Sequence, residues 1–238
     1  MGEQVMSRRD RLRAETSAEI KAIALDLMAE GGPDAVSLRA IARRMGMTAG
    51  AIYSYYATRD DLVTTLISDV YTELVRAAEN ARDAVPADDP GGRVLAWART
   101  VREWALANPE GFRLVYGDPV PGYRPPADGP AREAEQRACT GLTGLVAAAW
   151  PYAEPRQPAL RDRTWDDFDP GLAAHVRAEF PGLPPAALAL TLRVWGRMHG
   201  LVALEIYGHL RSLVRDPAAV YDDELADLLA SLGLAPRA

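Results

Sequence analysis

Two short amphipathic segments, 37–45 and 48–56, stand almost back to back, and no other feature narrows the possible folds as much. Ser37 is a good helix N-cap, and Leu38, Ile41, Ala42 and Met45 follow at helical spacing. Gly46 ends that helix, because glycine adopts the left-handed conformation that a helix stop uses. Only Met47 separates Gly46 from a second cap, Thr48, and the helix after it is expected to run to about Tyr56. Small residues at Ala42, Gly46 and Ala51 permit the close crossing of a helix-turn-helix.

The rest of the chain also has helical spacing, with no sustained period-two alternation, so the expected fold class is all-α. A first helix is predicted from Thr16, with Glu19 completing a capping box and Ile20, Ile23, Ala24, Leu27 and Met28 forming its stripe. Residues 1–15 read as a mobile charged tail. Gly31-Gly32-Pro33 stops helix one. Thr58 caps a fourth helix, 59–83, with Asp60 and Asp61 in its first turn and an apolar stripe from Leu62 to Val75. Further helices are predicted at 92–107, 128–149, 170–179, 186–211 and 217–233, with Pro-rich stretches at 117–126 and 151–164. The expected organisation is an N-terminal three-helix domain at 16–62 and a C-terminal helical bundle at 63–238, with helix 59–83 linking them.

Charge is unevenly placed. The net charge of −6 argues weakly against nucleic acid, yet residues 37–59 hold Arg39, Arg43, Arg44 and Arg59 and no acid. Residues 61–238 carry 18 basic and 25 acidic residues. A basic patch on an acidic body points to a polyanion partner better than the total does. Cys139 is the sole cysteine, which excludes a disulfide framework and fits a reducing cytoplasm. The N-terminal MGEQVMSRRDRLRAE has no apolar stretch, so no secretory signal is expected, and no run approaches the ~20 apolar residues of a membrane span.

The segment 37–62 is therefore the candidate DNA reader. Its third helix would present Thr48, Ala49, Gly50, Tyr53, Ser54 and Tyr55 to a major groove. Ser37 is counted among the DNA-site residues, at least one of Arg39, Arg43 and Arg44 would meet a phosphate, and Arg59 would reach a second. The plain alternatives are a solvated arginine face and packed tyrosines, and Ile52 and Tyr56 are assigned to packing. An enzyme is the competing class, but no acid–base, nucleophile or metal constellation stands out. Asp166, Asp167 and Asp169 read better as a helix cap and a solvated loop, and His175, His199 and His209 lack zinc-site spacing. Phosphate-loop, dinucleotide and nucleophile-elbow motifs are absent, so no catalytic residue, metal or cofactor is predicted.

The segment T48-A-G-A-I-Y-S-Y-Y-A-T-R59 resembles the TetR family of bacterial one-component repressors, whose pattern is Ser/Thr-x-Gly-x-Leu/Ile-Tyr-x-Tyr/His-Phe-x-x-Lys. Ala49 stands where a basic residue is frequent, Tyr56 replaces Phe and Arg59 replaces Lys. W195-G-R-M-H199-G200, with GDPVPGY at 117–123, is similar to the TetR C-terminal class named for its Trp-His-Gly motif. The resemblance implies a cytoplasmic homodimeric regulator, most often a repressor, on a roughly palindromic operator in double-stranded DNA. It also implies a small, fairly apolar effector in the C-terminal bundle and no membrane partner. Trp97, Trp104, Phe112, Tyr116, Trp150, Trp195 and His199 are the candidate pocket residues, core packing being their default reading. Leu190, Val194, Leu201, Leu204, Leu225, Leu228 and Leu232 are the candidate dimer contacts.

Overall fold

The computed structural model describes residues 7–234, and among these every regular element is a helix. Helix α1 spans Arg8–Gly31, α2 Leu38–Met45, α3 Ala49–Tyr53 and α4 Arg59–Asp83. They are followed by α5 (Pro90–Ala107), α6 (Pro109–Tyr116), α7 (Pro130–Ala153), α8 (Pro170–Glu179), α9 (Pro185–Ile206) and α10 (Pro217–Ser231). Two compact units result. The first contains the described residues up to Tyr71 together with Asn108–Glu133, and the second contains Thr72–Ala107 and everything described from Ala134 onward.

The first unit is organised by caps. Ser7 accepts from the Asp10 backbone N–H at 3.2 Å and starts α1 well before Thr16. Thr16 is not a cap. It lies inside α1 and donates its hydroxyl to the Leu12 carbonyl at 2.9 Å. The earlier start follows from helix propensity, since Arg, Leu, Ala and Glu hold residues 8–15 helical without an apolar stripe. The expected tail thus becomes helix from Arg8, and residues 1–6 lie outside the described part. Ser37 and Thr48 cap α2 and α3 as expected, each accepting from the backbone N–H three residues on, at 3.2 Å. Gly46 has φ +66°, and Met47 N–H closes onto the Ala42 carbonyl at 2.9 Å, which stops α2.

The core of this unit joins Ile20, Ala24 and Met28 of α1 to Leu38, Ile41 and Ala42 of α2, then to Ile52, Tyr56, Leu62, Val63 and Leu66. Helix α6, which the spacing did not predict, belongs here and packs against α1. Its proline start and brevity hid it in a Pro/Gly-rich neighbourhood. Phe112 is fully buried, and Tyr116 meets the Tyr71 ring edge-on at 5.8 Å.

The second unit packs α5, α9 and α10 around Val94, Trp97, Leu188, Val194, Met198, Tyr221, Leu225 and Leu228. Arg102 and Glu205 bridge α5 and α9 with two 2.8 Å hydrogen bonds. The Tyr221 hydroxyl donates to the Ala98 carbonyl at 3.1 Å, and burial holds this phenol protonated well above its ordinary range. Helix α9 stops at Ile206 rather than near Arg211, because Gly208 takes φ +78° and turns the chain. The Pro-rich stretch 151–164 contributes the end of α7 and short 3-10 turns. Asp169 caps α8 as expected, accepting from Leu172 N–H at 3.0 Å, and Asp167 accepts from Thr164 N–H at 2.9 Å.

Candidate nucleic-acid interface

The residues expected to face DNA divide into two groups once their partners are known. Thr48, Ala49, Gly50, Tyr53 and Ser54 are all exposed on α3 and the turn after it, with Tyr53 47% exposed. A Cβ added at Gly50 would meet nothing within 4 Å, so no internal packing demands glycine there. Ile52 is fully buried, and Tyr56 is buried with its hydroxyl 3.0 Å from Ser17, as the helical spacing predicted. α3 is thereby fixed through one side while its other side faces open space. The helix is shorter than expected, ending at Tyr53, and the chain continues in a turn through Tyr55.

On α2, Arg39 and Arg43 are exposed and enter no ion pair among the described residues. Ser37 is half-buried and engaged as the cap. Arg44 differs. Its guanidinium donates to both Glu30 carboxylate oxygens, at 2.8 and 2.9 Å, and so ties α2 to α1.

Arg59 departs furthest from the expectation of phosphate contact. Its Nε donates to the Val36 carbonyl at 2.8 Å, its Nη2 to Pro33 at 2.9 Å and its Nη1 to Pro121 at 3.0 Å. The side chain is half-buried and staples the turn before α2 and the 117–123 loop to the start of α4. Three carbonyls leave this guanidinium little capacity for a phosphate. Arg59 is therefore corrected from a phosphate ligand to a positioning residue. Tyr123 reinforces the same loop, its hydroxyl 2.9 Å from Thr64.

Sequence reasoning missed Arg13. It donates to the Ser54 carbonyl at 2.8 Å and sits 4.9 Å from the centroid of the Tyr55 ring. Tyr55 is thus half-buried beside α1, in line with the expectation that it faces outward only in part. The signal that could have found this contact was Ser7-x-x-Asp10, a capping pattern overlooked because no apolar stripe follows it.

The candidate effector residues fall in different places. Trp97 and Trp104 are buried in the second unit, and Trp97 fits against Gly141 so closely that a Cβ there would lie 2.5 Å from the ring. Trp150 is half-buried in the same unit, whereas Phe112 and Tyr116 belong to the first. Trp195 is 45% exposed, so it cannot line an enclosed pocket; His199 lies beside it at 5.6 Å, and partial burial lowers the proton affinity of that imidazole. Of the candidate dimer contacts, Leu190, Val194, Leu225, Leu228 and Leu232 are at most 3% exposed and fill their own unit. They are corrected to core residues, because α9 and α10 turn their leucines toward each other and α5. Leu201 is half-buried and Leu204 is 41% exposed. The outward apolar residues of this helix and its end are Leu192, Trp195, Leu204 and Tyr207.

Among the described residues no group of three metal-ligating side chains gathers, and no helix is long and apolar enough to cross a membrane.

Residues 20–66 match the family described as bacterial regulatory proteins, tetR family, and residues 94–228 match a tetracyclin repressor-like C-terminal domain. The HTH-type transcriptional regulator Rv1816 of Mycobacterium tuberculosis is 35% identical over 237 residues, covering 96% of this chain and 97% of that protein. The HTH-type transcriptional repressor Rv3405c of the same organism is 38% identical over 92 residues, which is 36% of this chain and 47% of the relative. The crystal structure of the regulatory protein SCO4313 superposes with a TM-score of 0.72 at 32% identity, over 94% of this chain and 100% of that one. The chain belongs to the tetR family of bacterial regulatory proteins, which are DNA-binding transcriptional regulators and not enzymes.

Proposed function

We propose that this regulator is a repressor that binds a roughly palindromic operator as a homodimer and leaves it when a small, fairly apolar effector binds. The observation that carries the DNA reading is the one-sided burial of α3. Ile52 and Tyr56 anchor it, while Thr48, Ala49, Gly50, Tyr53 and Ser54 are exposed and a Cβ at Gly50 would meet no atom within 4 Å. Arg39 and Arg43 on the preceding helix supply unpaired positive charge for the phosphates that border a major groove.

Self-association is supported by the outward face of α9. Leu192 and Trp195 are more than 40% exposed, and a Cβ added at Gly196 or Gly200 of the same helix would meet no atom within 4 Å. Glycines beside exposed aromatic and aliphatic residues suit close approach of the same helix from a second copy. The effector reading rests on the family and on the aromatic content of 63–238, the region we assign to effector binding and dimerisation. The region 16–62 carries the reader, with α4 joining the two. An effector releases the operator only by the difference in its affinity for the two forms. Repression is supported by the name of the shorter relative, Rv3405c.

Selection of duplexes from a random-sequence pool, followed by sequencing, tests the reading. Enrichment of an inverted repeat with half-sites ~34–36 Å apart, or a multiple, is the expected result for a two-fold dimer. Failure to enrich any sequence at low salt refutes it.

A further inference from the structure

Helix α1 begins with a basic stripe that the motif at 37–62 does not include. Arg8, Arg9, Leu12, Arg13 and Thr16 recur at helical spacing on one side of α1, and with Tyr55 they line an open concavity of about 500 Å³. At ~100° per residue Asp10 falls off this side, whereas Glu15 lies about 20° from Arg8, two turns further along the helix. Asp10 is in any case occupied by the Ser7 hydroxyl at 2.7 Å. Glu15 enters no ion pair with Arg8 or Arg9 among the described residues. Arg8 and Arg9 are exposed and form no ion pair among the described residues, unlike Arg44.

The place of this stripe matters as much as its charge. Arg13 locks α1 to the turn that ends α3, through the Ser54 carbonyl at 2.8 Å and the Tyr55 ring at 4.9 Å. The stripe is thus continuous with the exposed surface of Tyr53 and Ser54. Arg13 fixes the geometry, and Arg8 and Arg9 remain to meet a ligand.

We propose that Arg8 and Arg9 form a second DNA contact, gripping the phosphodiester backbone of the same duplex beside the groove that α3 enters. The inference depends on the DNA-binding reading of α3. Arginine suits phosphate because its fork of N–H groups matches two phosphate oxygens. The contact is blind to sequence, so it adds affinity and salt dependence without adding specificity.

The probe is a duplex enriched from a random pool by the unsubstituted chain, with binding followed by fluorescence anisotropy across a salt series. Arg8→Gln/Arg9→Gln is expected to weaken binding by about eightfold at ~0.1 M salt for each phosphate no longer neutralised, and to flatten the log–log salt slope by about 0.9 for each. The selected sequence and the helical circular dichroism stay unchanged. Arg8→Glu/Arg9→Glu keeps the helix, because acids are favoured in a first turn, and weakens binding further. Inorganic phosphate at matched ionic strength should not compete; strong competition would mean a free-anion site and would overturn the proposal. An unchanged slope in both double variants, while Tyr53→Ala still abolishes selective binding, also overturns it and leaves the reading of α3 standing. If the unsubstituted chain enriches no duplex, both fall together.

Discussion

The arginines between the helices of the second unit and those on α2 of the first are used differently. In the second unit Arg99, Arg102, Arg137 and Arg197 each face a carboxylate from another helix: Asp222, Glu205, Glu79 and Glu224. They fasten helices. In the first unit Arg39 and Arg43 face solvent, while Arg13, Arg44 and Arg59 act as fasteners. Net charge does not distinguish these uses. What marks a surface for a polyanion is positive charge left over after internal pairing. Two glycines make the same division, since a Cβ at Gly141 would strike Trp97 and one at Gly50 would strike nothing. One glycine answers to its own fold and the other to space outside it.

Arg59→Met should give the largest effect of the substitutions that break this contrast. Carbonyls of Pro33, Val36 and Pro121 would lose their charged donor, at a cost of about 3 kcal/mol in urea unfolding. If Arg59 were instead a free phosphate ligand, stability would hardly change and only DNA affinity would fall. Arg102→Met should come next, at about 2–3 kcal/mol, because Arg102 and Glu205 are only 15% and 16% exposed and Glu205 would be left unpaired. Arg99→Met, whose pair with Asp222 is about half exposed on both sides, should cost under ~1 kcal/mol. A destabilisation as large as that for Arg102 would show that exposure does not govern these pairs. The glycines sharpen the comparison at the small end. Gly141→Ala should destabilise by about 1–3 kcal/mol through overpacking. Gly50→Ala should be neutral or stabilising by ~0.5–1 kcal/mol in unfolding while weakening operator binding.

The parts legible in the sequence were those set by local chemistry. Caps at Ser37, Thr48 and Asp169 and the left-handed stop at Gly46 each involve atoms a few residues apart, and all four match the structure. The burial of Ile52 and Tyr56 was likewise legible, although the helix that the spacing assumed stops at Tyr53 and a turn carries Tyr56 inward. Partners distant along the chain were not. Arg59 reaches back to Pro33 and forward to Pro121, and nothing in either segment marks its carbonyl as an acceptor. The leucines of α9 and α10 misled for a related reason. A helix apolar on more than one side does not say which side meets its own unit, and Leu190, Val194 and Leu228 met it. The first turns of α1 were hidden because a helix held by propensity and a Ser7 cap carries no stripe to read.

On the proposed reading, the unpaired charge on α2, beside the open side of α3, serves to hold DNA. The most direct test is the salt dependence of binding to the selected duplex for Arg39→Gln/Arg43→Gln against the unsubstituted chain. The account predicts a slope shallower by about 0.9 for each phosphate left without its arginine, with the urea midpoint unmoved. Equal slopes for the two proteins would contradict it.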